Sequence, residues 1–402
     1  MVLRGARLLR AMSRALLLAV LLALCVAQPA AASRLVTVEA PSRHVDASNA
    51  TFGGEGPHEL RVNVLLPDGY RKRERYPLLY LMHGAGESHR SWADPEKGDV
   101  ASTLAGLDAI VAMPEGGLGY YTNWWNGGTR ADPAWERYHL DEVIQLLERR
   151  FRIRRARRWH AIAGFSMAGF GSSFLATQRP GYFGTVVPMS GLVSIRRPEV
   201  SAALSAVSGV PYEDVWGAWD GFYAEGHDPL TLVPNLRHTK VILRTGNGVP
   251  RPGVPADERD LASGALEAYL LTLNEEFAAA LREAGVDVDY RSHEGVHDWP
   301  YWREDMAEAQ EIGLFRRVPR SPSRWRYSTV AQRGVAWQFR YRFAAPPEEV
   351  VTFQRRGRRV MGRGAGRVVL RSASGCRVRA TLPFRRRVAR RCLSPGPSRA
   401  RP

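Results

Sequence analysis

Only three cysteines and three lysines (Lys72, Lys97 and Lys240) occur in 402 residues, too few cysteines for a disulfide-dense scaffold. Positive charge rests on arginine instead. No Gly-x-Gly-x-x-Gly follows the first predicted strand and there is no phosphate loop, so no nucleotide cofactor is implied. Cys376 and Cys392 have no second pair or nearby histidine beside them, which gives no metal site. No internal repeat is present. Long apolar runs are missing as well: residues 15–27 supply about 13 apolar positions, against the roughly 20 needed to span a bilayer.

That short run has a different meaning. Arg4, Arg7, Arg10 and Arg14 precede it, and Ala30-Ala31-Ala32 follows it as a small-residue cleavage site. Residues 1–32 therefore read as a secretory signal peptide, cut after Ala32, with the mature protein secreted or held in the cell envelope. Cys25 leaves with the leader. The remaining pair, Cys376 and Cys392, reads as one disulfide, worth about 3 kcal/mol for a loop of this size.

Acidic residues are scarce in one place only. From Arg316 onward there are 24 arginines, no lysines and two acids (Glu348 and Glu349), a net +22. The whole chain carries +17, so the rest is −5, and about −9 without the leader. Residues 33–315 are expected to form the main domain, with 316–328 as a linker in which Pro319 and Pro322 block helix continuation. Residues 329–393 are expected to form a small basic β module, and 394–402 a disordered tail. In the module Val335, Trp337, Phe339, Tyr341 and Phe343 alternate with polar positions, as do Cys376, Val378, Ala380 and Leu382, the mark of half-buried strands. An arginine-covered face suits an anionic envelope polymer, lipid headgroups or nucleic acid. Export argues against nucleic acid. An arginine-rich genome would also make surfaces basic by default.

Between residues 60 and 291 predicted strands and helices alternate. Strands are expected at 60–66, 77–82, 108–113, 159–163, 184–188, 240–244 and 286–291. Leu140, Val143, Ile144, Leu147 and Phe151 recur at helical spacing within 133–151, and 167–176 reads as another helix. The class is α/β, a doubly wound, mostly parallel sheet with helices on both faces.

Chemistry concentrates at the ends of these strands. Gly164-Phe165-Ser166-Met167-Ala168 sets one serine between small residues after an apolar strand. A strand-to-helix turn that lifts a serine clear must be small two residues before and after it, and here those residues are Gly164 and Ala168. Ser166 is the candidate nucleophile. The loop after the 77–82 strand, His83-Gly84-Ala85-Gly86, and the residue after the serine are where two backbone donors for an oxyanion belong, hence Ala85 and Met167. His297, in a loop after the last strand, is the candidate base. His293 reads as a strand-end polar residue. For the acid, a loop after the 240–244 strand favours Asp257 or Glu258; Asp260, Glu267, Glu275, Glu276 and Glu283 are also available, several of them surface charges.

Residues 55–315 resemble the putative-esterase group of α/β-hydrolases, which includes S-formylglutathione hydrolase and the secreted mycobacterial mycolyltransferases. The likeness is carried by Met113-Pro114-Glu115-Gly116-Gly117 with Tyr121-Thr122-Asn123-Trp124, by the Ser166 turn, by Gly246-Asn247-Gly248-Val249-Pro250, and by His297-Asp298-Trp299-Pro300-Tyr301-Trp302. Ala168 and the Gly-Asn-Gly segment are similar to the mycolyltransferases. That likeness implies the α/β-hydrolase fold, no cofactor, and Glu267 as the acid ahead of Asp257 or Glu258. It implies carboxylic-ester hydrolysis through an acyl-enzyme, with acyl transfer to a sugar or glycerol as the nearest alternative. One departure bears on that choice: the mycolyltransferases have Asp-Gly-Leu-Arg where this chain has His83-Gly84-Ala85-Gly86, so an arginine expected to help hold a sugar acceptor is missing. Export favours an oxygen ester over a glutathione thioester, because the glutathione pool belongs to the reducing cytosol. Trp124 and Trp299 are the aromatics expected to face the site. The competing class is a non-catalytic envelope-binding protein that keeps the fold.

Overall fold

The structure, a computed structural model, describes residues 33–46, 60–252 and 258–393. The expected leader, Asp257 and the expected tail fall outside those residues.

Eight strands form the central sheet: β1 (Arg34–Glu39), β2 (Arg61–Leu66), β3 (Leu78–Met82), β4 (Ile110–Pro114), β5 (His160–Phe165), β6 (Thr185–Met189), β7 (Lys240–Gly246) and β8 (Asp287–His293). Their spatial order is β1-β2-β4-β3-β5-β6-β7-β8. The six from β4 to β8 run parallel, while β1 and β2 pair antiparallel at one edge. The strands read as unbroken apolar runs because both faces are covered: Leu78, Tyr80 and Met82 enter one core, and Leu79 and Leu81 enter the other. β1 has no counterpart among the predicted strands. Order reverses at β3, so the loops leaving the ends of β3 and β5 stand side by side, with Met82 opposite Gly164 in the ladder.

Two predicted elements are broken up in the structure. The single helix over 133–151 is instead a short helical turn at Trp135–Arg137, a wide π-helical stretch at Tyr138–Val143, and an α-helix at Ile144–Arg150. The wide stretch carries buried His139, whose Nδ1 lies 2.8 Å from the Tyr80 hydroxyl. The single strand through Val335 and Phe343 is a hairpin, turned at Trp337 (φ 57°). A two-residue turn reverses the chain, so Ala336 pairs with Phe339 and Val335 with Arg340, putting Val335 on the outer face.

The C-terminal region holds two four-stranded antiparallel sheets. Its strands are β9 (Arg324–Thr329), β10 (Arg333–Ala336), β11 (Phe339–Phe343), β12 (Val351–Arg356), β13 (Arg359–Arg363), β14 (Arg367–Ser372), β15 (Arg377–Thr381) and β16 (Phe384–Arg387). β9 begins at Arg324, inside the stretch expected as linker. The sheets are ordered β10-β11-β14-β15 and β16-β13-β12-β9, and Trp325, Tyr327, Phe339, Tyr341, Phe343 and Phe353 fill the space between them. Cys376 and Cys392 form a disulfide. The region docks chiefly where β5 and β7 begin, at the end of those strands away from Ser166, and it also reaches the loop after β4, where Arg130 donates to the Pro347 carbonyl (2.7 Å). Asn235 exchanges two hydrogen bonds with the Ser328 backbone (2.9 and 2.8 Å), and Arg157 donates to the Pro319 carbonyl (3.1 Å).

Candidate active site

β5 ends at Phe165, and the helix Met167–Gln178 starts at once, leaving Ser166 alone in the turn with φ 54° and ψ −120°. A non-glycine residue there stores about 1–3 kcal/mol of strain. The turn is held because the Ser166 amide donates to the Met189 carbonyl (3.0 Å) and its own carbonyl accepts from Gly169 (2.8 Å). A Cβ on Gly164 would lie 2.5 Å from the Ala168 Cβ, which is why no larger residue fits at either position. Phe165, Met167 and Ala168 are buried, whereas Ser166 keeps partial access to solvent. Met167 opens the helix, where backbone N–H groups have no helical partner and the helix dipole favours negative charge.

The loop after β3 rests on the same aromatic ring. A Cβ on Gly84 would sit 2.5 Å from Phe165, so glycine lets the loop cross directly over the residue preceding the serine. Ala85 is exposed there. This loop is anchored by a buried carboxylate the sequence reading did not single out. Glu115 Oε2 lies 2.9 Å from His89 Nδ1, and its Oε1 lies 3.2 Å from His83 Nε2 and accepts from the Gly117 amide at 2.9 Å. Burial pushes the Glu115 pKa up, but the two histidines and the Gly117 amide together hold it well below the usual carboxylate range. In the sequence Glu115 stands within the Met113–Gly117 motif, with nothing to mark it as the anchor of this loop.

His297 comes from the loop after β8, just ahead of the helix Trp299–Ile312, which Asp298 caps by accepting from the Trp299 amide (2.7 Å). Its Nδ1 lies 2.6 Å from Oε2 of Glu267. Glu267 is fully buried two turns into the helix Glu258–Glu283, not in the loop where Asp257 was the other candidate; Glu258 opens that helix. Its second oxygen, Oε1, accepts from the Ser190 hydroxyl (2.6 Å), the Thr245 hydroxyl (3.0 Å) and the Gly246 amide (2.6 Å). Burial raises its pKa, yet the His297 bond and charge, the Ser190 hydroxyl and the Gly246 amide outweigh burial and leave it below the ordinary value. The carboxylate accepts only, so His297 Nδ1 carries a proton toward it and Nε2 is the nitrogen left to act as a base.

Trp302 ties these pieces to the serine turn. Its ring stacks on Phe165 (4.0 Å between centroids), meets His297 edge-on (4.9 Å), and donates its N–H to Ser190 Oγ (3.2 Å). Ser190 directly follows Met189, the residue that holds the Ser166 amide. Ser190 was missed because a small residue at the end of β6 carries no pattern. His293 bonds Asp305 instead (2.9 Å), as a strand-end polar residue should. Trp299 packs on Phe165 (4.6 Å) and Trp92 (5.1 Å) and donates to Glu87 Oε1 (3.2 Å). Trp124 is buried with its N–H on the Gly119 carbonyl (3.3 Å).

Residues 55–311 match the family described as "Putative esterase". The chain belongs to that family. Its relatives include Esterase Rv1288 of Mycobacterium tuberculosis (strain ATCC 25618 / H37Rv), 31% identical over 267 residues that make up 64% of this chain and 56% of that protein. Another is the diacylglycerol acyltransferase/mycolyltransferase Ag85A of Mycobacterium gordonae, 26% identical over 245 residues, 56% of this chain and 69% of the other. The chain thus spans about half the length of the first of these. Among solved structures, the S-formylglutathione hydrolase from Agrobacterium tumefaciens superposes with a TM-score of 0.52 at 18% identity, over 70% of this chain and 93% of that one. A ferulic acid esterase superposes with a TM-score of 0.52 at 22% identity, over 70% and 98%. These likenesses give the α/β-hydrolase fold. No helix among the described residues is long and apolar enough to cross a membrane.

Proposed function

We propose that this chain is a serine esterase that cleaves carboxylic esters through an acyl-enzyme on Ser166. The observation that carries the reading is the 2.6 Å contact between His297 Nδ1 and the buried Glu267, joined through Trp302, which stacks on Phe165, to the strand-to-helix turn that holds Ser166. In this mechanism His297 Nε2 takes the hydroxyl proton as Ser166 Oγ attacks the ester carbonyl. The tetrahedral oxyanion forms between the amides of Ala85 and Met167, each such donor worth about 3 kcal/mol. Collapse expels the alcohol, which takes its proton from His297. Water then attacks the acyl-enzyme with His297 again as base, and the acid leaves. Glu267 holds the imidazole in the working tautomer and stabilises its charged form. Trp299, packed on Phe165, and Trp124 are assigned to the walls of the substrate site. Export by the 1–32 leader, cut after Ala32, belongs to the same reading, as does an oxygen ester rather than a glutathione thioester.

Acyl transfer to glycerol or a sugar is the second reading, favoured by the mycolyltransferase relative. His83-Gly84-Ala85-Gly86 supports hydrolysis over transfer, because no arginine sits there to hold a sugar. The test is hydrolysis of p-nitrophenyl esters from acetyl to palmitoyl by the wild type and Ser166→Ala, with and without glycerol and trehalose. Serine-dependent release indifferent to both alcohols is the expected result. Release accelerated by either, with a new acylated product, would establish the transferase. Failure at every chain length would leave a non-catalytic binding protein.

A further inference from the structure

Arginines line up across the outer face of the sheet β16-β13-β12-β9. Cross-strand partners run Arg324↔Arg356, Arg356↔Arg359 and Arg359↔Arg387, so one arginine from each of the four strands stands in a single row. All four are exposed, as are Arg326 and Arg385 in the adjacent row. With strands about 4.8 Å apart, the row spans roughly 14 Å. Like charges directly opposite one another destabilise a sheet. A row of four therefore lowers stability unless an anion lies along it.

An arginine-rich composition explains why these residues are not lysine. It does not explain why they lack acids. In residues up to 315 the same arginine usage is balanced, and the arginine ion pairs among the described residues all lie between Arg43 and Glu308. From Arg316 onward only Glu348 and Glu349 are acidic, and they precede β12 rather than sitting on this face.

The face lacks the side chains that two modes of anion binding use. Single-stranded nucleic acid is held by aromatic platforms as well as charge. Here Trp325, Tyr327 and Phe353 turn inward to the core, and the outward neighbours of the row are Gln354 and Met361. Insertion into a lipid surface would use apolar side chains beside the charge. Every exposed large hydrophobic residue among those described lies before residue 267, outside this region. What remains is a one-dimensional array of guanidinium groups, each able to take a carboxylate or phosphate through two parallel hydrogen bonds.

We propose that the row Arg324, Arg356, Arg359 and Arg387, with Arg326 and Arg385 beside it, is a binding face for a linear acidic polysaccharide. Arg324, at one end of the row, meets His238 just ahead of β7, at the strand ends away from Ser166, so a polymer bound there leaves the serine turn open. The enzyme would be tethered to its surroundings while the site faces away. This inference does not depend on the esterase reading.

The test measures binding of the full chain to polygalacturonate, with dextran as the neutral polymer and single-stranded DNA as the phosphodiester comparison. Arg356→Gln/Arg359→Gln/Arg387→Gln should weaken polygalacturonate binding roughly 100-fold at 0.1 M salt and make log K less steep in log salt by about two. Its melting temperature should hold or rise, since repulsion is relieved, and p-nitrophenyl acetate hydrolysis should match wild type. Arg149→Gln/Arg150→Gln/Arg152→Gln, an equal charge change on exposed arginines elsewhere, should keep most of the affinity. Wild-type binding no tighter than dextran, equal loss in the two triple variants, or a preference for DNA would each overturn the proposal.

Discussion

The hydroxyl of Ser190 donates to Glu267 Oε1 at 2.6 Å, on the oxygen opposite the one that meets His297. The same hydroxyl accepts the Trp302 N–H. A residue at the end of β6 thereby orients a carboxylate on one helix and an indole on another. Ser190→Ala is expected to lower kcat about tenfold with little change in KM and to cost about 1–2 kcal/mol in stability. Unchanged kcat would mean that Thr245 and Gly246 suffice to orient Glu267.

Glu267→Gln should lower kcat by about 10³- to 10⁴-fold without unfolding the chain, because an amide in place of the carboxylate stabilises the wrong imidazole tautomer. Asp257→Asn and Glu258→Gln should stay within a few-fold of wild type by the same assay. The reverse ranking would move the acid to the loop after β7.

Gly164→Ala forces a methyl to within 2.5 Å of the Ala168 Cβ and 2.9 Å of its carbonyl oxygen. Relief requires the Ser166 turn to shift. Expected is a stability loss of about 1–3 kcal/mol and, in the variant that still folds, a loss of kcat larger than that of Gly69→Ala at an open surface turn. Equal activity of the two variants would show that the elbow geometry is not needed.

Glu115 titrates lower when folded than when unfolded, held down by His83, His89 and the Gly117 amide against burial. A depressed carboxylate contributes stability that is complete above its unfolded pKa, near 4.3, and that is lost as pH falls through the folded value. The gap in unfolding free energy between wild type and Glu115→Gln should therefore be widest at pH 6–7 and narrow below pH 4. Denaturant titrations at several pH values measure it, and a gap that does not change with pH would refute the assignment.

Replacing Cys376 and Cys392 together by alanine opens the disulfide loop and should destabilise the C-terminal region by about 3 kcal/mol. Ester hydrolysis should be kept, since the region docks away from Ser166. Parallel loss of activity and of the melting transition would show that the two parts unfold as one unit.

Much of this was legible in the sequence, because each part obeys a local rule. Unbroken apolar runs such as residues 77–82 announce strands covered on both faces. The small residues around Ser166 follow from sterics within a five-residue turn, and His297 follows from its place after the last strand. The segregated charge reads directly from composition. Tertiary structure decided the rest. Glu267 came first only through the family resemblance: from the residues alone its spacing inside a helix looks like that of any surface glutamate, and packing of that helix on β7 is what buries it. Ser190, Glu115 and Trp302 act across elements far apart in the chain, and no periodicity marks them. The hairpin at Trp337 kept an alternating pattern while moving Val335 to the opposite face, since a two-residue turn is invisible to period-two reading. The arginine row needed strand register: composition shows 24 arginines, but only the pairing of β9, β12, β13 and β16 sets four of them side by side.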